Sequence, residues 1–274
     1  MNLNRIRLVC KNDVNEVTVC RDIDDMSGAL YTVIEVHDHT VARDFLRALK
    51  EAGPAAEESV LDTFQKDGVF CIVYPYVRER PMNAFYRGDA VSLNECEDIC
   101  INTILACMAS QLPWPILYLL LEQRQVHLAK DNSVYLGYTV DLAGLDVTKT
   151  EQDCAVQCAR ILLELLQAKT SQKAVSFLLL QKKVGKSSYH KFTELYKDVR
   201  IAAAPKEKRG LINTIKAWYY RNKDGMFRIL LVISAILAIL ALVSLITQLL
   251  FGDVPWLRVF LRSFEKIGTE SLLQ

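Results

Sequence analysis

Ile229–Phe251 reads ILLVISAILAILALVSLITQLLF, 23 residues without an Asp, Glu, Lys or Arg. As a helix rising roughly 1.5 Å per residue, it is about 35 Å long and crosses a hydrocarbon core of roughly 30 Å with some tilt. Core helices of soluble domains seldom hold more than about 14 consecutive apolar residues. Arg228 bounds the run on one side, and Gly252, Asp253 and Pro255 on the other. The chain therefore reads as one membrane-spanning helix with a large part before it and a short part after it.

The flanks set an expected orientation. Residues 205–228 hold Lys206, Lys208, Arg209, Lys216, Arg221, Lys223 and Arg228 against Glu207 and Asp224, a net of +5. The tail after the run balances Arg258, Arg262 and Lys266 against Asp253, Glu265 and Glu270. Lys and Arg accumulate on the cytoplasmic side of a span. The opening MNLNRIRLVCKNDV lacks the apolar stretch of a signal peptide. The expected layout is a cytosolic domain 1–204, a basic juxtamembrane linker 205–228, a single-pass span 229–251 and an extracytoplasmic tail 252–274, in a plasma membrane.

In the linker, cations alternate with aromatics: Lys216, Trp218, Tyr219, Tyr220, Arg221 and Lys223. With Arg228 and Trp256 they are expected at the membrane interface, where aromatic rings favour the headgroup zone and cations attract anionic lipid. Nucleic acid could use the same residue types, but their place beside the span favours lipid. The whole chain carries 33 Lys+Arg against 32 Asp+Glu, which excludes a generally basic nucleic-acid binder. In the tail, Leu257, Phe260, Leu261, Phe264 and Ile267 fall at helical spacing and predict a short amphipathic helix, for the interface or for a partner. Within the span, Ser234, Ala238 and Ala241 share a stripe that Gln248 continues. Small residues let helices approach closely, so this face is a candidate for homo-oligomer contact.

The part before the span is apolar enough to fold, the chain being 51% hydrophobic. Its eight cysteines read as core residues of a reducing compartment. Cys96, Cys100 and Cys107 share one helical stripe, and Cys154 and Cys158 another. None has the Cys-x2-Cys spacing of a zinc site. His37 and His39 sit two apart after an apolar strand, so on a continued strand both would face one side. Gly185-Lys186-Ser187 resembles the end of a phosphate loop, but the required glycine five residues earlier is Leu180. No GxGxxG, GxSxG or HExxH occurs. No metal and no cofactor is expected.

The fold class predicted is α+β. Arg5–Cys10, Glu16–Cys20, Tyr31–Val36 and Val69–Tyr74 are rich in β-branched and aromatic residues and read as strands. Val41–Ala52 reads as one helix stopped by Gly53-Pro54. Ser92 with Glu95 forms a capping box for a helix to about Ser110. Ile116–Leu121 reads as an apolar helix. Val126–Leu128 and Val134–Tyr138 read as short strands around a polar turn. Helices follow at Glu151–Gln167, Lys173–Leu180 and His190–Val199.

This order resembles the protein kinase family over roughly residues 5–200: a strand-rich N-lobe with one helix, then a helical C-lobe. Ile34-Glu35-Val36-His37 resembles the third-strand motif that normally ends in lysine. Val69–Tyr76 resembles the fifth strand and hinge. Val126–Leu128, Asp131-Asn132 and Val134–Tyr138 resemble the catalytic-loop hairpin. Glu151–Gln167 resembles the following core helix, with Asp153 at its characteristic aspartate. The resemblance implies a two-lobe fold followed by a transmembrane helix and a short amphipathic helix.

It also implies lost chemistry. Phosphoryl transfer uses a Gly-rich cover, a lysine on the phosphates, a base aspartate, and an Asp and an Asn for magnesium. Here no Gly-rich loop joins the first strands, and His37 stands for the lysine. Tyr118-Leu119-Leu120 replaces His-Arg-Asp, Gln125 the asparagine, and Tyr138-Thr139-Val140 replaces Asp-Phe-Gly. These departures imply a catalytically inactive pseudokinase acting as a membrane-anchored scaffold for cytosolic protein partners, in secretion or envelope signalling. The layout is similar to the pseudokinase component of bacterial type VII secretion machines, apart from a tail of only 23 residues. The alternative is an atypical ATP-dependent kinase or transferase whose displaced groups would be His37, Asp131 and Asp141.

Overall fold

A computed structural model describes residues 2–24, 27–82, 92–167, 175–203 and 211–251, the stretches 211–224 and 250–251 by backbone alone. The chain divides into two units, residues 1–214 and 215–274.

The first unit opens with β1 (Leu3–Lys11), β2 (Asn15–Asp22), β3 (Leu30–Val36), α1 (His39–Ala52), α2 (Pro54–Glu58), β4 (Asp62–Lys66) and β5 (Val69–Pro75). The five strands form one antiparallel sheet in the order β1-β2-β3-β5-β4. Alternation along the strands divides the apolar residues between its faces. Val17, Ile34, Val36, Ile72 and Tyr74 join the main core with Phe45 and Leu49 of α1. Cys20, Val33, Cys71 and Val73 form a smaller cluster on the other face. The first helix starts earlier than its apolar spacing predicts, because the Asp38 carboxylate accepts from the Thr40 and Val41 N–H groups.

A helical part follows: β6 (Arg80–Pro81), α3 (Leu93–Ala109), α4 (Trp114–Glu122), β7 (Val126–Leu128), β8 (Val134–Leu136), a 3-10 turn at Leu142–Gly144, α5 (Glu151–Gln167), α6 (Val175–Val184) and α7 (Phe192–Ala202). The three short strands form a second antiparallel sheet, β6-β7-β8. The Ser92–Glu95 capping box opens α3 as predicted. Strand β8 stops at Leu136, so Tyr138 lies beyond it. Helix α6 runs later than the predicted Lys173–Leu180, whose first two positions lie outside the described residues. Cys96, Cys100, Cys107, Cys154 and Cys158 are buried where α3 and α5 pack, as small apolar residues.

The second unit holds all but the first turn of α8 (Leu211–Phe251), one helix of 41 residues. Within it Gly225–Leu249, 25 residues, is long and apolar enough to cross a membrane; its most apolar 18-residue window has a mean hydropathy of 3.2, and none of that window is buried within the protein. Residues 211–228, read from sequence as a linker, are therefore helical. The remainder of that linker and the tail from 252 onward, with Trp256 and its predicted amphipathic helix, lie outside the described residues.

Candidate functional site

The segment Gly137–Leu142 leaves β8 and passes between the N-terminal sheet and the helical part. Asn15, the first residue of β2, is completely buried against it. Its Nδ2 donates to the Val140 carbonyl at 3.0 Å, and its Oδ1 accepts from the Leu142 N–H at 2.8 Å. From the helical side Gln123 makes the same two-bond clasp: Nε2 donates to the Asp141 carbonyl at 2.7 Å, and Oε1 accepts from the Asp141 N–H at 2.8 Å. A side-chain amide presents a donor beside an acceptor, so it pairs with a backbone C=O and N–H much as a neighbouring strand does. Gln125 Oε1 accepts from the Thr139 hydroxyl at 2.7 Å. Three uncharged amides thus hold the strap.

Tyr138, in the middle of the strap, stacks on Tyr74 near the end of β5, with ring centroids 3.9 Å apart and planes within 3°. Tyr74 is 1% exposed, and its hydroxyl has no hydrogen-bond partner among the described residues. Burial pushes the Tyr74 phenol well above its ordinary pKa, and Tyr138 beside it raises it further. Burial alone raises that of Tyr138. Both rings are therefore neutral, and the stack fills the space between β5 and the strap with carbon.

The β1–β2 turn lies beside Asn15 and is itself pinned. Asn12 Oδ1 accepts from the Val14 and Asn15 N–H groups, and the Val14 carbonyl accepts from the His37 N–H at 2.8 Å. Next along β2, the buried carboxylate of Glu16 pairs with Arg5 and, at 2.7 Å, with Lys11. The Lys11 hydrogen bond, opposed by burial and helped by the Arg5 charge, holds the Glu16 carboxyl below its ordinary range.

The residues singled out from sequence land as follows. Strand β3 ends at Val36; His37 follows it and His39 opens α1, both exposed. The expected pair of histidines on one strand face is therefore corrected: the Asp38 cap turns the chain into a helix between them. Leu120 is inside α4 and 1% exposed. It lies in a packed helix, as the apolar run Ile116–Leu121 predicts. Asp131 accepts from the Ser133 N–H and hydroxyl, and Asp141 accepts from the Ala143 N–H, each within its own turn. Asp153 accepts from the Thr150 N–H and hydroxyl at the start of α5, and the N–H bond leads in lowering its pKa. Gly185-Lys186-Ser187 follows helix α6, whereas a phosphate loop follows a strand. Among the described residues no group of three or more His, Cys, Asp or Glu is placed to hold a metal.

Lys216, Trp218, Tyr219, Tyr220, Arg221 and Lys223 all fall on α8, ahead of an exposed Arg228. Ser234, Ala238 and Ala241 lie exposed on the same helix, where Ser234 Oγ donates to the Leu231 carbonyl at 2.9 Å. Sequence reasoning did not find Asn15, Gln123 or Tyr74. Only an asparagine at the head of an apolar strand hinted at the first. Away from the strap, a cavity of about 480 Å³ between α1–α2 and the α3–α4 turn is lined by Glu51, Met108, Trp114 and Lys149 among others. No family model matches this sequence, and no curated protein matches it either.

Proposed function

We propose that this protein is a membrane-anchored, catalytically inactive pseudokinase-like scaffold that brings cytosolic protein partners to a membrane assembly. The order of elements supports the kinase-like part of the reading: five antiparallel strands with a helix after the third, then helices interrupted by a short hairpin. The observation that carries the inactive part is the Tyr74–Tyr138 stack. Tyr138 stands where the resemblance places the magnesium-binding aspartate, and Tyr74 lies near the end of the strand that the resemblance places before the hinge. A phenol offers neither the charge nor the free oxygen pair that magnesium requires. Leu120 in α4 offers no base, and Gln125 is committed to Thr139.

The other reading, an enzyme with displaced groups, draws no support from its candidates. His37 is exposed beyond β3, and Asp131 and Asp141 are engaged in their own turns. Anchoring rests on the apolar helix Gly225–Leu249, and cytoplasmic placement of the N-terminal unit on the excess of cations before it.

The test is the melting of residues 1–203 with ATP or GTP and magnesium at millimolar concentration. No shift in melting temperature is expected. A ligand at about 100 times its Kd adds about 2.7 kcal/mol, several degrees for a domain of this size. A shift of that size would overturn the closed-site reading.

A further inference from the structure

The cations before the span lie on a helix. α8 begins at Leu211, so the 14 residues Leu211–Asp224 precede the apolar window that opens at Gly225. At about 100° per residue, Leu211, Ile212, Ile215, Trp218 and Tyr219 fall on one face, which Asn222 interrupts near its C-terminal end. Lys216 and Lys223 fall along one border of that face, and Arg221 along the other. Asn213, Ala217, Tyr220 and Asp224 fall opposite. An interfacial helix has this distribution: an apolar ridge at the acyl boundary, cations at its borders reaching lipid phosphates, and a polar back toward water.

Neither simple alternative suits it. A stalk standing in water would leave the ridge hydrated. A longer span would draw Lys216 and Lys223 toward hydrocarbon, at high cost. Gly225 sits where the two segments meet, and a Cβ built there would meet nothing beyond its own helix, so no described neighbour packs against that point. Glycine is also a weak helix former. Three cations against Asp224 make the segment net positive, which suits an anionic leaflet.

We propose that Leu211–Asp224 is a membrane-surface helix that binds the anionic face of the bilayer crossed by Gly225–Leu249, with Gly225 as its hinge. The proposal rests on the reading of Gly225–Leu249 as a span, and its test separates the two. The full chain is reconstituted in nanodiscs of phosphatidylcholine with or without phosphatidylglycerol. Retention in the nanodisc after an alkaline, high-salt wash reports the span. Trp218 is one of three tryptophans, and Trp114→Phe with Trp256→Phe leaves it alone. The difference between wild type and Trp218→Phe gives the same signal should the double variant fold poorly. Lipids brominated just below the headgroup then report contact.

Quenching of Trp218 that is at least about twofold stronger with the anionic lipid, and that loses this preference in Lys216→Glu/Lys223→Glu, is the expected result. Trp218 unquenched by lipid and open to iodide, in a chain retained by the nanodisc, overturns the surface helix while leaving the span. Quenching indifferent to lipid charge overturns the anionic preference. Loss of the chain from the nanodisc overturns both readings.

Discussion

Asn15 joins the sheet to the helical part with a single uncharged side chain. Removing it leaves the Val140 carbonyl and the Leu142 N–H without their buried partner. An unmet buried polar group costs about 1–3 kcal/mol, so Asn15→Ala is expected to lose about 2–4 kcal/mol. Gln123 makes an equivalent pair of bonds at a more exposed place, where water replaces them. Gln123→Ala is expected to lose less than about 1 kcal/mol. Urea denaturation of residues 1–203 measures both, and equal losses would deny Asn15 its special place.

Glu16 supplies a pH dependence. Its carboxyl is held below its ordinary range in the fold, so its stabilisation is present above the unfolded value of about 4.3. It is lost as pH falls through the lower folded value. Glu16→Gln is expected to melt earlier than wild type at neutral pH, and the gap is expected to close in acid. A gap constant across that window would exclude the Lys11 and Arg5 pairing as its cause. At this scale the sequence pointed to Tyr138 through a motif position, but its partner Tyr74 read only as part of a strand. A stack depends on which rings the fold brings to 3.9 Å, and those two are 64 positions apart in the chain.

Among the elements, the long apolar ones were legible and the short polar ones were not. β4 reads Asp-Thr-Phe-Gln-Lys, with a mostly exposed pattern and no apolar alternation. It is a strand because it pairs with β5 through a tight turn in which Asp67 and Gly68 take φ of 52° and 83°. An Asp-Gly pair with positive φ suits a two-residue hairpin, and it was the signal available for β4. The β7–β8 hairpin makes a sharper demand. A Cβ at Gly137 would lie 2.3 Å from His127 Nε2, on an imidazole whose Nδ1 is 2.8 Å from the Glu79 carbonyl. Gly137→Ala is expected to cost about 1–3 kcal/mol by overpacking. The same denaturation assay checks it, and an unchanged midpoint would mean that His127 moves aside freely.

For the whole molecule the decisive property is the apolar helix. The full chain is expected to stay with membranes through alkaline extraction, and residues 1–203 to remain soluble. Protease added to sealed right-side-out vesicles is expected to spare the N-terminal unit until the membrane is opened. Digestion in sealed vesicles would reverse the orientation inferred from the cations at 205–228.

Composition and local spacing by themselves determined the long apolar helix, the N-terminal cap of α3 and the strands β2, β3 and β5, because each depends on neighbours within a few residues. They also showed which catalytic side chains the kinase resemblance lacks. The tertiary structure decided that His37 and His39 part at a helix cap, and that Asn15 clasps a strap 125 residues away. Such contacts join positions distant in the chain through uncharged amides and rings. Their residue types occur throughout the sequence, and only the packing of sheet against helices selects the ones that meet.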